Sequence, residues 1–184
     1  ICDPPVYDRV KTKTGRLTIS SGTQILTLPK YVRKCYRSSF KSGSLFEIDF
    51  TSLEPRCALN IENKGTSVGD VYEHVKEASR LQSSRDHVKE FVISLLYGAG
   101  ERRLMRILEK TVPKAELRST LKSLKDFFGY DKLASRLVAQ SKQGYIENYF
   151  GRKIVIDDAH PGLLINNFLQ STAVDVALLG FSHL

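Results

Sequence analysis

Residues 85–98, RDHVKEFVISLLYG, place two cations and a phenol at intervals of one helical turn. Arg85, Lys89, Ile93 and Tyr97 follow one another four residues apart, so at about 100° per residue they share roughly one third of a helix circumference. The apolar residues between them have the spacing of a stripe that packs against a core. The segment is therefore predicted to be a helix with one packed face and one face that offers two cations and a phenol. The alternative is an ordinary surface helix with a snorkelling Arg and Lys.

A second candidate group is a carboxylate at the end of a predicted strand. Apolar and acidic residues alternate over residues 45–50, LFEIDF, which indicates a strand that ends near Asp49. A helix is predicted to follow over residues 51–61. Because Mg²⁺ binds one or two protein carboxylates and leaves its other positions to water and phosphate, Asp49 is a candidate metal ligand. The alternative is a structural role at the start of the helix, where Thr51 and Glu54 have the spacing of a capping box.

The order of the strands and helices that must position these side chains predicts an α+β fold. Strand signals are concentrated near the N-terminus, whereas helical periodicity dominates afterwards, and no alternation of strands with helices is present. Short irregular strands and turns are expected over residues 16–40. Further helices are predicted near residues 70–80, 84–98, 101–110, 114–128, 131–143 and 162–181, with a hairpin over 145–157 that turns at Gly151 and Arg152.

The charge of the chain favours a polyanionic partner. The 184 residues carry a net charge of +8, and residues 1–40 hold eight Lys or Arg against two Asp, with tyrosines interleaved. Such a stretch suits a nucleic-acid backbone. The alternative is a solvated basic surface.

Other features of the sequence indicate an intracellular protein without a membrane anchor. No apolar run approaches the roughly 20 residues of a membrane helix, and the N-terminus lacks the pattern of a signal peptide. Cys2, Cys35 and Cys57 lack metal-ligand spacing and are predicted to be reduced thiols. Since the first residue is not Met, the chain is expected to be an excerpt of a longer protein.

Five segments, in order and over nearly the whole chain, resemble the polymerase module of family A DNA polymerases, the DNA polymerase I type. The second is similar to motif A of that family, the third to motif B on the fingers helix, and the fourth to the fingers hairpin. They are TKTGRL (12–17), EIDFTSLEPR (47–56), Arg85-x3-Lys89-x7-Tyr97-Gly98, GYIENYFGR (144–152) and INNFLQSTAVD (165–175).

The resemblance implies a division into parts. A partial antiparallel palm sheet and a mainly helical fingers subdomain are expected. Residues 1–62 would form the first part of the palm, and residues 63–160 the fingers with the motif B helix at 84–98. Residues 161–184 would return to the palm and end before motif C, which carries the second metal-binding aspartate of the family.

The resemblance also implies roles for individual residues. Asp49 and the Phe50 carbonyl would bind Mg²⁺ at a two-metal site, with Mn²⁺ as the alternative metal. Arg85 and Lys89 would bind the incoming triphosphate, and Lys89 would also act in catalysis by donating a proton to the leaving pyrophosphate. Glu54 would exclude a ribose 2′-hydroxyl. Tyr72, Ile93 and Tyr97 would border the nucleotide, and DNA would contact Thr14, Arg16, Arg37, Gly98, Asn166 and Gln170.

The activity so implied is template-directed DNA synthesis in replication, by nucleotidyl transfer from a dNTP to a primer 3′-hydroxyl. Primer–template DNA and dNTP would be the partners, with no membrane involved, in a bacterial or virus-infected cell or an organelle. No acidic residue follows Asp175, so a second polypeptide or a missing segment would supply motif C. The isolated chain is therefore expected to bind nucleotide or DNA weakly and to be inactive or nearly so.

Two alternatives remain open. A phage-type single-subunit RNA polymerase has the same Arg, Lys and Tyr-Gly spacing and a non-aromatic residue at the position of Ile93, but Glu54, TKTGRL and LQSTAVD favour the DNA enzyme. A degenerate, non-catalytic DNA-binding module would fit the missing second carboxylate. The retained Asp49, Arg85 and Lys89 argue against such decay.

Overall fold

A computed structural model describes residues 3–8, 10–62 and 69–183. The chain divides into two compact units, Ile1–Thr51 and Ser52–Leu184. Helices together with two small antiparallel sheets confirm the predicted α+β class. The prediction of a reduced thiol at Cys2 and the predicted start of the fingers at residue 63 lie outside the described residues.

The first unit contains one sheet and two short helical turns in its described part. Strand β1 (Val6–Asp8) pairs antiparallel with β2 (Thr18–Ser21), with an irregularity in register after Val6. A 3-10 turn (Ile25–Thr27) and helix α1 (Lys30–Arg33) follow. The prediction of short strands and turns is confirmed here, although the four-residue α1 was not predicted.

Residues 45–50 do not form the predicted strand, and this prediction is wrong. The side chains of Leu45, Phe46 and Ile48 are 60%, 86% and 61% exposed. Alternation shows that a segment can pack as a strand, but a strand also needs a neighbour for its backbone N–H and C=O groups. Among the described residues no strand lies beside this one.

The second unit is a helical core that carries a small hairpin. Its buried apolar side chains come from each of the helices described below and from both strands of the hairpin. The predicted helices and hairpin are confirmed, with ends shifted by a few residues. The helices are α2 (Leu53–Ile61), α3 (Val71–Ala78), α4 (Arg85–Leu96), α5 (Glu101–Leu108), α6 (Leu117–Phe127), α7 (Tyr130–Ser141) and α8 (Pro161–Phe181), and the strands are β3 (Tyr145–Glu147) and β4 (Lys153–Val155).

The two ends of α4 are defined by local chemistry. The Ser84 hydroxyl accepts a hydrogen bond from the His87 N–H (3.3 Å) at the start, as an N-cap does. At the end, Gly98 adopts a left-handed φ of +75°, and the Gly98 and Ala99 N–H groups return to the Leu95 and Ser94 carbonyls. This is a Schellman motif, in which glycine is the favoured residue.

Gly98 also packs backbone to backbone against the start of α8. A Cβ at Gly98 would lie 2.5 Å from the carbonyl atoms of Gly162, and a Cβ at Gly162 would lie 2.7 Å from the Gly98 Cα. The close approach therefore requires glycine on both sides, and it holds the residues that follow α4 against α8.

The hairpin is fastened to α8 by a partly buried polar network. The Asn148 amide donates to the Ser171 hydroxyl (3.1 Å) and to the Asp175 carboxylate (2.6 Å), and Arg152 forms an ion pair with that carboxylate. In the turn, Gly151 has a φ of +81°. Asp175 thus has a structural role, as its position in the helical pattern indicates.

Helices α2 and α8 belong to the same compact unit as the helices predicted to form the fingers. Both pack against α4 as well as against each other. The unit boundary falls between Thr51 and Ser52 rather than at residue 62. The division into palm and fingers stays a prediction.

Helix α8 has the length and composition that a membrane span requires, with a mean hydropathy of 1.2 over its most apolar window. This differs from the expectation that no such run exists. Its buried residues, among them Leu164, Ile165, Phe168 and Leu169, form part of the core of the unit. A core helix of this kind meets the same criteria.

Candidate nucleotide-binding site

One face of α4 carries the predicted phosphate-binding residues. Arg85 and Lys89 lie one turn apart, about 6 Å along the axis, and Tyr97 follows two turns later. The core side of the helix buries Val88, Phe91, Val92 and Leu95. The structure therefore confirms that one sequence segment provides both a packed face and an outward face with two cations and a phenol.

Arg85 is held in place by two residues at the start of α3. Its Nε and Nη2 atoms both lie 2.6 Å from Oδ2 of Asp70, and its guanidinium lies over the Tyr72 ring, 5.1 Å from the centroid. Tyr72 is only 3% exposed. In this conformation the Tyr72 ring packs against the Arg85 guanidinium and is not accessible to a nucleotide. This differs from the predicted contact between Tyr72 and the nucleotide.

Asp70 has two roles, because the same carboxylate also caps α3. Its Oδ1 accepts hydrogen bonds from the Tyr72 and Glu73 N–H groups, at 2.8 and 3.2 Å. Partial desolvation acts to raise the pKa of Asp70, but the hydrogen bond from Arg85, the two backbone hydrogen bonds and the Arg85 charge outweigh it and lower that pKa. Asp70 therefore stays ionised at neutral pH and neutralises part of the Arg85 charge.

Lys89 differs from Arg85 because its ammonium remains available. Its side chain is exposed, and no described residue forms an ion pair or hydrogen bond with it. Ile93, one turn further along, is half-buried and offers only apolar contact. Lys89 can thus bind an anionic ligand without breaking an existing pair.

Glu54 and Tyr97 connect the start of α2 with the end of α4. The Tyr97 hydroxyl donates to the Glu54 carboxylate at 3.4 Å, and Tyr97 is 44% exposed. Ser52, the residue before α2, has a left-handed conformation, and its side chain makes no capping hydrogen bond. Glu54 lies in the first turn of α2 and beside the end of α4, and the capping box with Thr51 stays an alternative prediction.

Cys57 lies one turn after Glu54 on α2 and has no nucleophilic role. Burial, with a smaller contribution from the Glu54 charge, raises the pKa of its thiol to about 11. The thiol is therefore protonated at neutral pH and unreactive. Cys35 is exposed, and both are free thiols, as predicted.

Asp49 belongs to the first unit and is exposed. No described residue binds its carboxylate, so its oxygens are available to a hard cation, which fits the predicted metal ligand. Among the described residues no cluster of three or more His, Cys, Asp or Glu is placed to hold a metal. That Asp49 and Lys89 act on one ligand stays a prediction.

The predicted DNA-contacting residues differ in exposure. Arg16 and Arg37 are exposed, and the Arg37 guanidinium donates to the Lys34 and Tyr36 carbonyls. Thr14 is only 6% exposed and presents little surface to DNA.

Asn166 and Gln170 lie one turn apart on α8 and are half-buried. The side-chain oxygen of Asn166 is buried without a hydrogen-bond partner among the described residues.

Asp70 is the site residue that the sequence interpretation missed. Its position before α3 is a recognisable N-cap signal, but that signal says nothing of a guanidinium that lies 15 residues further along the chain.

A comparison of the chain with models of protein families and with curated proteins finds no match to either.

Proposed function

We propose that this chain carries the nucleotide-binding part of a family A DNA polymerase, whose complete form copies a DNA template. The reaction would be attack of a primer 3′-hydroxyl on the α-phosphorus of a dNTP. A new phosphodiester bond forms, the bond to the β-phosphate breaks, and pyrophosphate leaves. The observation that carries the proposal is the outward face of α4, with Arg85, an available Lys89, and Tyr97 hydrogen-bonded to Glu54.

The chemistry of this face suits a triphosphate. Phosphoryl transfer depends mainly on positioning and on neutralisation of charge rather than on covalent chemistry by the protein. Lys89 supplies an available ammonium, and Arg85 supplies a planar guanidinium that lies over the Tyr72 ring. Glu54, held near the end of α4, would lie beside the sugar. Lys89 would also donate the proton that the leaving pyrophosphate takes up.

The metal of the proposed reaction is Mg²⁺, with Mn²⁺ as the alternative. The Asp49 carboxylate and the Phe50 carbonyl would hold it, and a bound Mg²⁺ would neutralise charge on the phosphate oxygens. One protein carboxylate is within the range that Mg²⁺ accepts when phosphates and waters complete the shell.

The decisive experiment measures template-dependent nucleotide affinity, which needs no turnover. The chain is mixed with primer–template DNA whose first unpaired base is dT, and the dissociation constants of the four dNTPs and of ATP are measured with Mg²⁺. The proposal expects dATP to bind more tightly than the other dNTPs and than ATP. Preference for ATP would support the RNA polymerase, and equal binding of all nucleotides, or none, would indicate a non-catalytic DNA-binding module.

Changing Glu54 to Ala is expected to reduce the preference for dATP over ATP by about tenfold. The carboxylate that would meet the 2′-hydroxyl is removed, and an unfavourable contact of this kind is worth about 1–2 kcal/mol. The measurement is the ratio of the two dissociation constants in the ternary complex. The matched control is Glu77→Ala, which removes an exposed carboxylate from α3. An unchanged ratio in Glu54→Ala would show that Glu54 does not discriminate against the ribose 2′-hydroxyl.

Changing Asp70 to Asn is expected to strengthen dATP binding by about three- to tenfold. Asn caps a helix as well as Asp does, so α3 is retained, whereas the charge that competes with the triphosphate for Arg85 is lost. Titration of wild type and variant with Mg²⁺-dATP measures the effect. Weaker binding in the variant would mean that Asp70 prepares Arg85 for the ligand rather than restraining it.

The same substitution has a predicted effect on acid stability. Because the pKa of Asp70 is lowered in the folded chain, its stabilising contribution is present above the ordinary carboxyl pKa, about 3.9. The contribution is lost as pH falls through the lower folded value. Below about pH 4 the variant is therefore expected to lose less stability than wild type, as measured by thermal midpoints across pH.

A further inference from the structure

The outer face of α6 carries a row of cations. Lys114 lies in the 3-10 turn (Lys114–Glu116) that leads into α6, and Arg118 and Lys122 follow it at intervals of four residues. All three side chains are exposed, whereas the opposite side of the helix buries three leucines in the core. We call Lys114, Arg118 and Lys122 the α6 cation row.

The protein does not neutralise the α6 cation row. Among the described residues no carboxylate lies within ion-pair distance of any of these three side chains. Lysines on the flanking segments differ in this respect. The ammonium of Lys110 lies 3.5 Å from the Glu90 carboxylate, and that of Lys132 lies 3.7 Å from the Glu62 carboxylate. The row therefore keeps its full charge for an anionic partner.

The positions of these cations are unfavourable for the helix itself. Arg118 and Lys122 are i and i+4 neighbours, and like charges at this spacing destabilise a helix. Arg118 also lies in the first turn of α6, where the helix macrodipole disfavours a cation. Helix stability therefore does not explain this choice of residues.

A second row, of small side chains, runs beside the cations. Ala115, Ser119 and Ser123 each follow a member of the cation row by one residue, and all three are exposed. They lie about 100° further around the helix, so the two rows form one continuous face. Because the distance between packed helices depends on the side chains at the contact, small residues let a second helix approach to about 8 Å. We call these three residues the α6 small row.

The chemistry of this face favours a protein helix over a nucleic acid. Carboxylates four residues apart on a helix repeat about every 6 Å along its axis, which is the interval of the cations. Proteins that bind single strands stack the bases on aromatic side chains, and neither row contains one. A duplex presents phosphates on both sides of a groove, whereas the cations form a single row.

We infer that the outer face of α6 docks an acidic helix of a partner protein, whose carboxylates lie one turn apart and face the α6 cation row. The α6 small row would take the close contact between the two helices. Exposed ion pairs contribute little affinity singly, so the cations would mainly select the partner and speed its association. This surface goes beyond the proposed function, because it requires neither a nucleotide at α4 nor catalysis.

The test measures binding of the full chain to two helical peptides of equal charge. Both are alanine-based, about 18 residues long and held helical by a lactam bridge, because short isolated helices are marginal in water. The one-faced peptide carries a glutamate at every fourth position, and its isomer carries the same number spread around the helix. Fluorescence anisotropy at low salt is expected to show at least about fivefold tighter binding of the one-faced peptide. Equal affinities, or no binding of either peptide, would overturn the inference.

The variant that removes the α6 cation row is Lys114→Gln, Arg118→Gln, Lys122→Gln. Its affinity for the one-faced peptide is expected to be about tenfold lower, because three exposed ion pairs are lost. Its thermal midpoint is expected to stay the same or rise, since repulsion between like charges is removed. Weaker binding therefore reports the lost charges and not unfolding.

A matched control removes three exposed charges from α5, as Arg102→Gln, Arg103→Gln, Arg106→Gln. Its affinity for the one-faced peptide is expected to fall by no more than about threefold, because salt screens charges outside the contact. Equal losses in the two triple variants would show that only net charge matters and would overturn the inference.

The α6 small row is tested without a change of charge. The double variant Ala115→Gln, Ser123→Gln places two longer neutral side chains beside the cations. It is expected to bind the one-faced peptide at least about threefold more weakly, because the second helix can no longer approach closely. Unchanged affinity would mean that no helix packs on this face.

Oligo(dT) and a DNA duplex serve as probes of nucleic-acid binding. A larger loss of affinity for either of them than for the one-faced peptide, in the variant without the cation row, would make this face a nucleic-acid surface and overturn the inference. Binding of Mg²⁺-dATP is expected to be unchanged in every α6 variant, because α4 retains Arg85 and Lys89. The peptide result therefore stands or fails independently of the nucleotide site.

Discussion

Replacing Lys89 by Gln is expected to weaken Mg²⁺-dATP binding by about 10- to 100-fold. The Lys89 ammonium has no partner among the described residues, so it can give its full charge to a phosphate. A hydrogen bond between charged groups contributes about 1.5–3 kcal/mol, and about 1.4 kcal/mol corresponds to tenfold in affinity. Gln retains an N–H donor on a slightly shorter side chain, so the loss reports mainly the charge.

The control for Lys89 is Lys122→Gln, which removes an equal charge from the exposed side of α6. Its effect on dATP affinity is expected to stay within about twofold, because Lys122 lies on α6, outside the proposed site on α4, and salt screens exposed charges. Equal losses in the two variants would contradict a specific phosphate contact at Lys89. The thermal midpoint of Lys89→Gln should match that of wild type, since the side chain is exposed.

Replacing Gly98 by Ala is expected to destabilise the second unit by about 2–4 kcal/mol. Two costs combine. The residue keeps a left-handed φ of +75°, which disfavours a Cβ, and the new methyl would lie 2.5 Å from the Gly162 carbonyl atoms, so α8 must shift. Urea unfolding followed by circular dichroism measures the loss as a lower midpoint.

Two glycines separate these two costs. Gly144 has a φ of +85°, but no atom lies within 4 Å of the position that an added methyl group would take, so Gly144→Ala reports conformational strain alone. Gly100 has a negative φ and equally open surroundings, so Gly100→Ala reports neither cost. If Gly98→Ala costs no more than Gly144→Ala, the contact with Gly162 does not restrain the end of α4.

Local signals in the sequence predicted the helices well. Ser84 before α4 and Gly98 after it both act within a few residues, and the apolar stripe of α4 continues between them. The hairpin was equally predictable, because Gly151 supplies the left-handed turn residue between two short apolar strands. Such features depend on neighbours in the chain, so they can be recognised without the fold.

Contacts between distant segments could not be predicted in this way. The Tyr97–Glu54 hydrogen bond joins residues 43 positions apart. The sequence around Gly162 likewise contains no signal that predicts its close contact with Gly98. The strand predicted at residues 45–50 does not form, because no described strand is present to pair with it.

A double-mutant cycle on Asp49 and Lys89 tests most directly whether the two residues act on one nucleotide. Dissociation constants for dATP are measured with Mg²⁺ for wild type, Asp49→Asn, Lys89→Gln and the double variant, in the presence of primer–template DNA. Shared binding of one Mg²⁺-triphosphate predicts that the double variant loses clearly less affinity than the product of the two single losses, a coupling of at least about 0.5 kcal/mol. Losses that simply multiply, or an Asp49→Asn variant that binds Mg²⁺-dATP as wild type does, would contradict the account.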